Sequence, residues 1–308
     1  MGTCVGEMDL DDLLLKTSRT FALAIPMLPE PTRREVSVAY LLFRIADTFE
    51  DATTWPRAER IAALNAFADA VTKVDVEGLK ALTAKWLLKP PHQHAGYLEL
   101  LKLTPEVVGT LSSMTPGARD ILIKHTVRTS KGMADVVARA DAEGNLQLES
   151  VEDLKAYCYI VAGIVGELLT DVFLHDTPQL ASVRETLTKT MVEFGEGLQL
   201  VNILKDTGDD ARDGRAYLPK GVDRDEVLEL ARADLDAASR YIDALQRGGA
   251  PKGYLGFTGI SVMLARAALK VLENDGPGAK VSRLEVARLM GQLQATLASG
   301  ASMLQATA

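Results

Sequence analysis

The stretch Tyr40-Leu41-Leu42-Phe43-Arg44-Ile45-Ala46-Asp47-Thr48-Phe49-Glu50-Asp51 carries two messages at once. With Val36 and Val38 just before it, the residues Leu41, Leu42, Phe43, Ile45 and Phe49 point in nearly every direction around a helix. A helix that is apolar all round is a buried one. Yet Tyr40, Arg44, Asp47 and Asp51 recur at i, i+4, i+7 and i+11, which puts them on one face. Charges are too costly in a dry core unless they are paired or bound to a metal. The spacing therefore predicts a buried helix with one face on a wet internal cavity.

A second segment repeats the pattern. Leu198, Leu200, Val201, Ile203 and Leu204 are apolar, while Gln199, Asn202, Asp206 and Asp210 form a stripe at i, i+3, i+7 and i+11. In both segments a pair of aspartates stands one turn apart, with Cβ atoms roughly 6 Å from each other. A single Asp-x-x-x-Asp on a helix is usually a solvated face. Two of them, each in an otherwise apolar helix, point to a site. Such carboxylates suit Mg²⁺, which takes one or two of them and fills its octahedron with water and substrate phosphate. Two opposed clusters would grip a diphosphate and stabilise it as a leaving group. Arg44, Lys205, Ser18-Arg19, Arg215 and Lys220 are the candidate direct donors to it. Glycosidase chemistry needs two lone acids and does not call for two helical clusters.

Outward from these segments, helical periodicity dominates, and no short alternating runs bounded by turns predict strands. Helices are expected at about 7–24, 32–53, 56–73, 76–88, 105–113, 116–140, 150–175, 180–210, 223–247, 253–274 and 281–306. Breakers fall between them: Pro26, Pro29 and Pro31; Pro90-Pro91; Pro105; Pro116-Gly117; Gly248-Gly249; Pro277-Gly278. No polar linker or repeat divides the chain. The expectation is an all-α helical bundle, one domain over residues 1–308, with a central cavity.

Composition narrows the function. A chain of 308 residues with 47 % hydrophobic and 25 % charged residues builds a large core. Its net charge of −8, with no basic block, argues against nucleic acid as a partner. Cys4 and Cys158 have no metal-ligand spacing, and His92 and His94 sit in a Pro-flanked loop without a zinc partner. No basic-then-apolar leader is visible, and no run approaches the ~18 apolar residues of a membrane span. The chain reads as soluble and cytoplasmic. Gly195-Glu196-Gly197 and Gly276-Pro277-Gly278 follow no expected strand, so no dinucleotide-binding fingerprint is present.

At these residues the chain resembles the squalene/phytoene synthases, which join prenyl diphosphates head to head. Four motifs carry the resemblance in the family's order: Ser18-Arg19-Thr20-Phe21-Ala22-Leu23; Tyr40 to Asp51; Tyr157-Cys158-Tyr159-Ile160-Val161-Ala162-Gly163-Ile164-Val165-Gly166; and Asn202-Ile203-Leu204-Lys205-Asp206 to Asp210, continuing to Gly214-Arg215-Ala216-Tyr217-Leu218-Pro219. The resemblance implies an isoprenoid-synthase bundle and an Mg²⁺-dependent prenyltransferase acting on farnesyl or geranylgeranyl diphosphate. NADPH is implied for reductive members. It implies metal ligation by Asp47, Glu50, Asp51, Asn202, Asp206 and Asp210. Substrate contacts are implied at Ser18, Arg19, Tyr40, Arg44, Val161, Ala162, Gly163, Gln199, Asn202, Lys205, Arg215 and Arg283, with Tyr40, Arg44 and the four aspartates as the catalytic set. Val161–Gly166 fits a prenyl-channel wall, although glycines there serve helix packing equally well. Tyr40 and Tyr159 are candidate aromatic or hydroxyl partners for a carbocation or the diphosphate. Motif details lean to squalene or dehydrosqualene synthases. Two departures stand out: Lys205 where many members have Arg, and Ala268 where a bacterial relative has a diphosphate-binding Tyr. The eukaryotic C-terminal anchor is not expected, and peripheral membrane contact would serve product release.

Overall fold

The structure, a computed structural model, describes residues 9–18, 20–141, 145–212 and 214–307; Cys4 and Arg19 lie outside the described residues. Fifteen α-helices are assigned along the described chain: α1 (Leu10–Thr17), α2 (Phe21–Ala24), α3 (Thr32–Glu50), α4 (Arg57–Lys73), α5 (Val76–Leu88), α6 (Ala95–Lys102), α7 (Thr104–Gly109), α8 (Pro116–Ala138), α9 (Val151–Cys158), α10 (Ile164–Asp176), α11 (Arg184–Arg212), α12 (Arg224–Arg247), α13 (Lys252–Asp275), α14 (Arg283–Ser299) and α15 (Met303–Thr307). The fold is all-α, as the periodicity predicts. Side-chain caps start several helices: Asp9, Asp75, Thr115, Ser150, Asp223 and Ser282 each accept from a first-turn amide.

Differences from expectation have local causes. The helix expected over 7–24 breaks at Ser18, whose backbone is extended (φ −145°, ψ 138°) and whose Oγ accepts from Phe21 N at 2.9 Å. The helix expected over 281–306 breaks at Gly300, which takes φ +70°. The eight-residue α6 was not expected, because two turns behind Pro90-Pro91 are too short to show a period. The helix expected over 150–175 is continuous, with a π-helical stretch at Tyr159–Gly163 joining α9 to α10. Two strands exist where none were expected: β1 (Leu146–Gln147) pairs in parallel with β2 (Arg215–Ala216). Two residues are too few to alternate. Two helical stretches, Val151–Asp176 and Lys252–Asp275, are long and apolar enough to cross a membrane by length and composition, which corrects the sequence reading. More than half of each is buried inside the fold, so both serve here as core helices.

α3 runs through the core. Val38, Leu41, Leu42, Ile45 and Phe49 are all but inaccessible, and Phe49 packs on Trp86, Trp55 and Phe67 at 4.5, 6.1 and 6.2 Å between ring centroids. α11, the other charge-bearing helix, packs on α10, α12 and α13. Its contact with α10 is close enough to require glycine. A Cβ on Gly195 would lie 1.9 Å from the Ala162 carbonyl oxygen, and one on Gly166 only 1.7 Å from that of Met191. These crossings fix the height at which the α11 carboxylates face those of α3.

Candidate active site

Arg44, Asp47, Glu50 and Asp51 from α3 line one side of a polar recess, and Gln199, Asn202, Lys205, Asp206 and Asp210 from α11 line the other. Tyr157, Tyr217 and Arg215 close it. Both carboxylate stripes thus meet in one space. Arg215 ties them together: its guanidinium pairs with Asp51 and lies 3.7 Å from Asp210. The β1–β2 pair delivers it there. Leu146 N donates to Gly214 O at 2.9 Å, Leu148 N donates to Ala216 O at 3.1 Å, and Tyr217 stacks on Tyr157 at 4.5 Å. Gly214 at φ +73° makes the turn, and a Cβ there would meet Asn145 Oδ1 at 2.4 Å.

The remaining cations are held by acids. Arg44 Nη1 is 3.3 Å from Asp47 Oδ2, and Lys205 Nζ is 3.1 Å from Asp206 Oδ2 and 3.3 Å from Asn202 Oδ1. Burial pushes the Asp47 carboxyl up to about 6, against the pull of Arg44 and with help from Asp51. Burial, reinforced by Asp51 and opposed by Arg215 and Arg60, also raises Glu50 well above the usual carboxylate range. A site that raises its carboxyls in this way favours incoming positive charge.

Among the described residues no three His, Cys, Asp or Glu side chains converge as a ready-made metal cage. The donor set nonetheless fits Mg²⁺. It consists of hard carboxylate and amide oxygens on two opposed banks, leaving coordination positions for water and phosphate. Gly195 and Gly197 lie in mid-helix on α11, and Gly276 and Gly278 form a turn after α13, so neither pair is a strand-to-helix turn.

Two apolar spaces open from the recess. One is walled by Phe21, Ile25, Val36, Ala39, Tyr40, Phe43, Val161, Ala162, Val165, Leu168, Leu169, Phe194 and Phe257. The other is a broader groove between α11, α13 and the start of α14, with Phe21, Leu23, Leu198, Val201, Leu264, Ala265, Ala268 and Val286 beside Lys205, Lys280 and Arg283. Asn202 lines the recess and both spaces.

Most of the expected site residues come together. Tyr40, Arg44, Val161, Ala162, Gln199, Asn202, Lys205, Arg215 and Arg283 all line one of these three spaces. Others do not. The Ser18 hydroxyl caps α2 and lines none of them. Lys220 is exposed and away from them. Gly163 stands behind the wall, where a Cβ would meet the Tyr159 ring at 2.8 Å and Val192 at 3.2 Å. Gly163 thus serves packing, whereas Gly166 both packs on α11 and lines the apolar cavity. Tyr159 turns outward, donating to Glu167 at 2.8 Å and accepting from Arg128 at 2.5 Å, so it faces no carbocation. Sequence reasoning missed Lys280 and Tyr97. Lys280 is a lone exposed lysine with no motif around it. Tyr97 lies on the unexpected α6, with its ring 5.3 Å from the Arg44 guanidinium carbon.

Comparison with known proteins matches residues 14–222 to the family described as squalene/phytoene synthase. Among similar proteins, the squalene synthase of Schizosaccharomyces pombe is 30 % identical over 68 % of this chain and 43 % of its own. The Botryococcus squalene synthase of Botryococcus braunii is 27 % identical over 71 % of this chain and 44 % of its own. The chain therefore spans less than half the length of these curated relatives. The solved structure of TcSQS with the ligand BPH1237 superposes with a TM-score of 0.74 at 24 % identity, over 96 % of this chain and 88 % of that one, which establishes the fold.

Proposed function

This chain belongs to the squalene/phytoene synthase family, and from that membership we propose that it is a prenyltransferase joining two farnesyl diphosphates head to head. The observation that carries the reading is the meeting of two apolar spaces at one recess walled by opposed carboxylate banks. One prenyl chain would occupy the apolar cavity and the other the groove, with both diphosphates at the recess. A cyclase acting on one substrate has no use for the second space.

Asp47, Glu50 and Asp51 on α3, with Asn202, Asp206 and Asp210 on α11, would hold Mg²⁺. The ion, when bound, neutralises the diphosphate and makes it a better leaving group. Arg44 and Arg215 donate to one diphosphate from within the recess. Lys205, Lys280 and Arg283 serve the other, and they occupy the groove that also contains Ala268. As the first C1–O bond breaks, the electron pair leaves with the diphosphate, and the double bond of the second substrate attacks the allylic cation. Loss of a proton closes the cyclopropane of presqualene diphosphate. The apolar walls keep water from the cation. A second ionisation, in which the remaining diphosphate leaves with its electron pair, and a rearrangement of the cation would follow. The product separates the two routes onward, squalene if NADPH supplies hydride and dehydrosqualene if a proton is lost.

The test is incubation of purified protein with Mg²⁺ and farnesyl or geranylgeranyl diphosphate, with and without NADPH, followed by mass spectrometry. A product with twice the carbon count of farnesyl diphosphate is expected. Release of no diphosphate from either substrate refutes the reading, and a product built from one substrate molecule identifies a cyclase instead.

A further inference from the structure

Two aromatic rings lie beside the Arg44 guanidinium. Its guanidinium carbon lies 5.8 Å from the centroid of Tyr40 on its own helix and 5.3 Å from that of Tyr97 on α6. Both distances are within the range in which a cation is attracted to a ring face, roughly 6 Å. Its Nε is buried and has no hydrogen-bond partner, so Asp47 and the two rings carry the side chain's orientation.

The two rings share one anchor. The Tyr40 hydroxyl donates to the Thr17 carbonyl at 2.9 Å, at the end of α1. One residue earlier, the Lys16 carbonyl sits so close to Gly96 that a Cβ there would be 2.4 Å away. Lys16 Nζ also pairs with Glu99 at 2.8 Å. The last turn of α1 thus sets the position of α6, and through it that of Tyr97. The Tyr97 ring also packs on His94 at 4.3 Å and His92 at 5.0 Å between centroids. The Pro-flanked loop that carries His92 and His94 therefore supports the ring that lies beside a site arginine.

We propose that Tyr97 is a positioning residue, which with Tyr40 clamps the Arg44 guanidinium so that its free edge faces the diphosphate. The proposal rests on the assignment of Arg44 to diphosphate binding. A clamp of this kind keeps the guanidinium off its many other rotamers and lowers the entropy lost when the diphosphate arrives. The hydroxyl of Tyr97 is not required for it; the electron-rich ring face is.

The experiment replaces Tyr97 by phenylalanine and by mono-, di- and trifluorophenylalanine, which keep the ring's shape while draining its face of charge. Affinity for inorganic diphosphate with Mg²⁺ is read by calorimetry, alongside KM, kcat and Tm. Tyr97→Phe is expected to bind as the parent does. The fluorinated series should weaken stepwise, by about 3- to 30-fold at its end, the span of a cation–π contact at a partly to fully desolvated site. KM should rise in parallel and Tm should stay constant. A flat series overturns the clamp, because a ring that only packs is indifferent to its charge. Arg44→Gln separates the two levels. If it binds diphosphate as tightly as the parent, the assignment of Arg44 itself is wrong, and the clamp falls with it. If it has lost the diphosphate while the fluorinated series is flat, only the clamp is refuted.

Discussion

Asp47 illustrates how one residue reads differently alone and in its site. On an isolated helix it would be an ordinary solvated carboxylate. In the recess, burial and the neighbouring Asp51 lift it to about 6, and Arg44 only partly offsets them. A proton and Mg²⁺ then compete for the same oxygens. Because the pKa is raised, the proton holds on to higher pH than usual and is released as pH rises through about 6. Affinity for Mg²⁺ is therefore expected to fall as pH drops from 7 to 5, in a calorimetric titration with inorganic diphosphate present. Asp47→Asn and Asp206→Asn should each cut turnover by at least about 100-fold, a loss of some 3 kcal/mol of metal-held transition-state charge, with unchanged helical circular dichroism. Turnover near the parent value in either variant would remove that residue from the metal set.

At the scale of elements, the crossing of α10 and α11 governs the site. Gly166 and Gly195 let the two backbones meet, so the α11 stripe reaches the recess instead of stopping short of it. Gly195→Ala would put a methyl 1.9 Å from the Ala162 carbonyl oxygen and push the helices apart. Overpacking of this kind costs about 1–3 kcal/mol, visible as a lower urea midpoint at constant m-value. Since Ala162 also lines the apolar cavity, prenyl affinity should fall with it. Full stability in Gly195→Ala would show that the crossing is looser than drawn. The β1–β2 pair is a smaller device with a similar purpose: four residues aim Arg215 at both aspartate clusters.

Across the whole molecule, acids are also buried outside the recess lining. Glu35, beside Asp176, is pushed up to about 8, by burial first and by Asp176 next. Glu196 rises to about 7 and Asp234 to about 6, again chiefly through burial. In the unfolded chain these groups titrate near their ordinary values, so between about pH 4 and 8 the folded state binds more protons than the unfolded one. Their contribution therefore favours folding at the acid end of that window and is lost as pH rises through the raised values. Thermal unfolding followed from pH 5 to 9 should show Tm falling over this range. Glu35→Gln, which cannot ionise, should flatten the fall between 5 and 8; an unchanged slope would mean that Glu35 does not carry it.

Periodicity and carboxylate spacing in the sequence by themselves established the helical class and the two buried charge-bearing helices; the resemblance to a family of prenyl synthases came from the identity and order of four motifs. These properties are local, because a 3.6-residue repeat and a one-turn aspartate pair are complete within a dozen residues. Tertiary structure decided how the other groups reach these spaces. Arg215, legible in the sequence as a candidate donor, is brought to both aspartate clusters on a two-residue strand, while Lys280 lines the groove from a turn after α13 and Tyr97 reaches Arg44 from a two-turn helix, none long enough to leave a periodic trace. It also tied the Tyr159 hydroxyl to Glu167 and to Arg128 of α8, a partner fixed by how two helices pack. Position along one helix can be counted from the sequence, but the partner across a cavity depends on how two helices cross, here at Gly166 and Gly195.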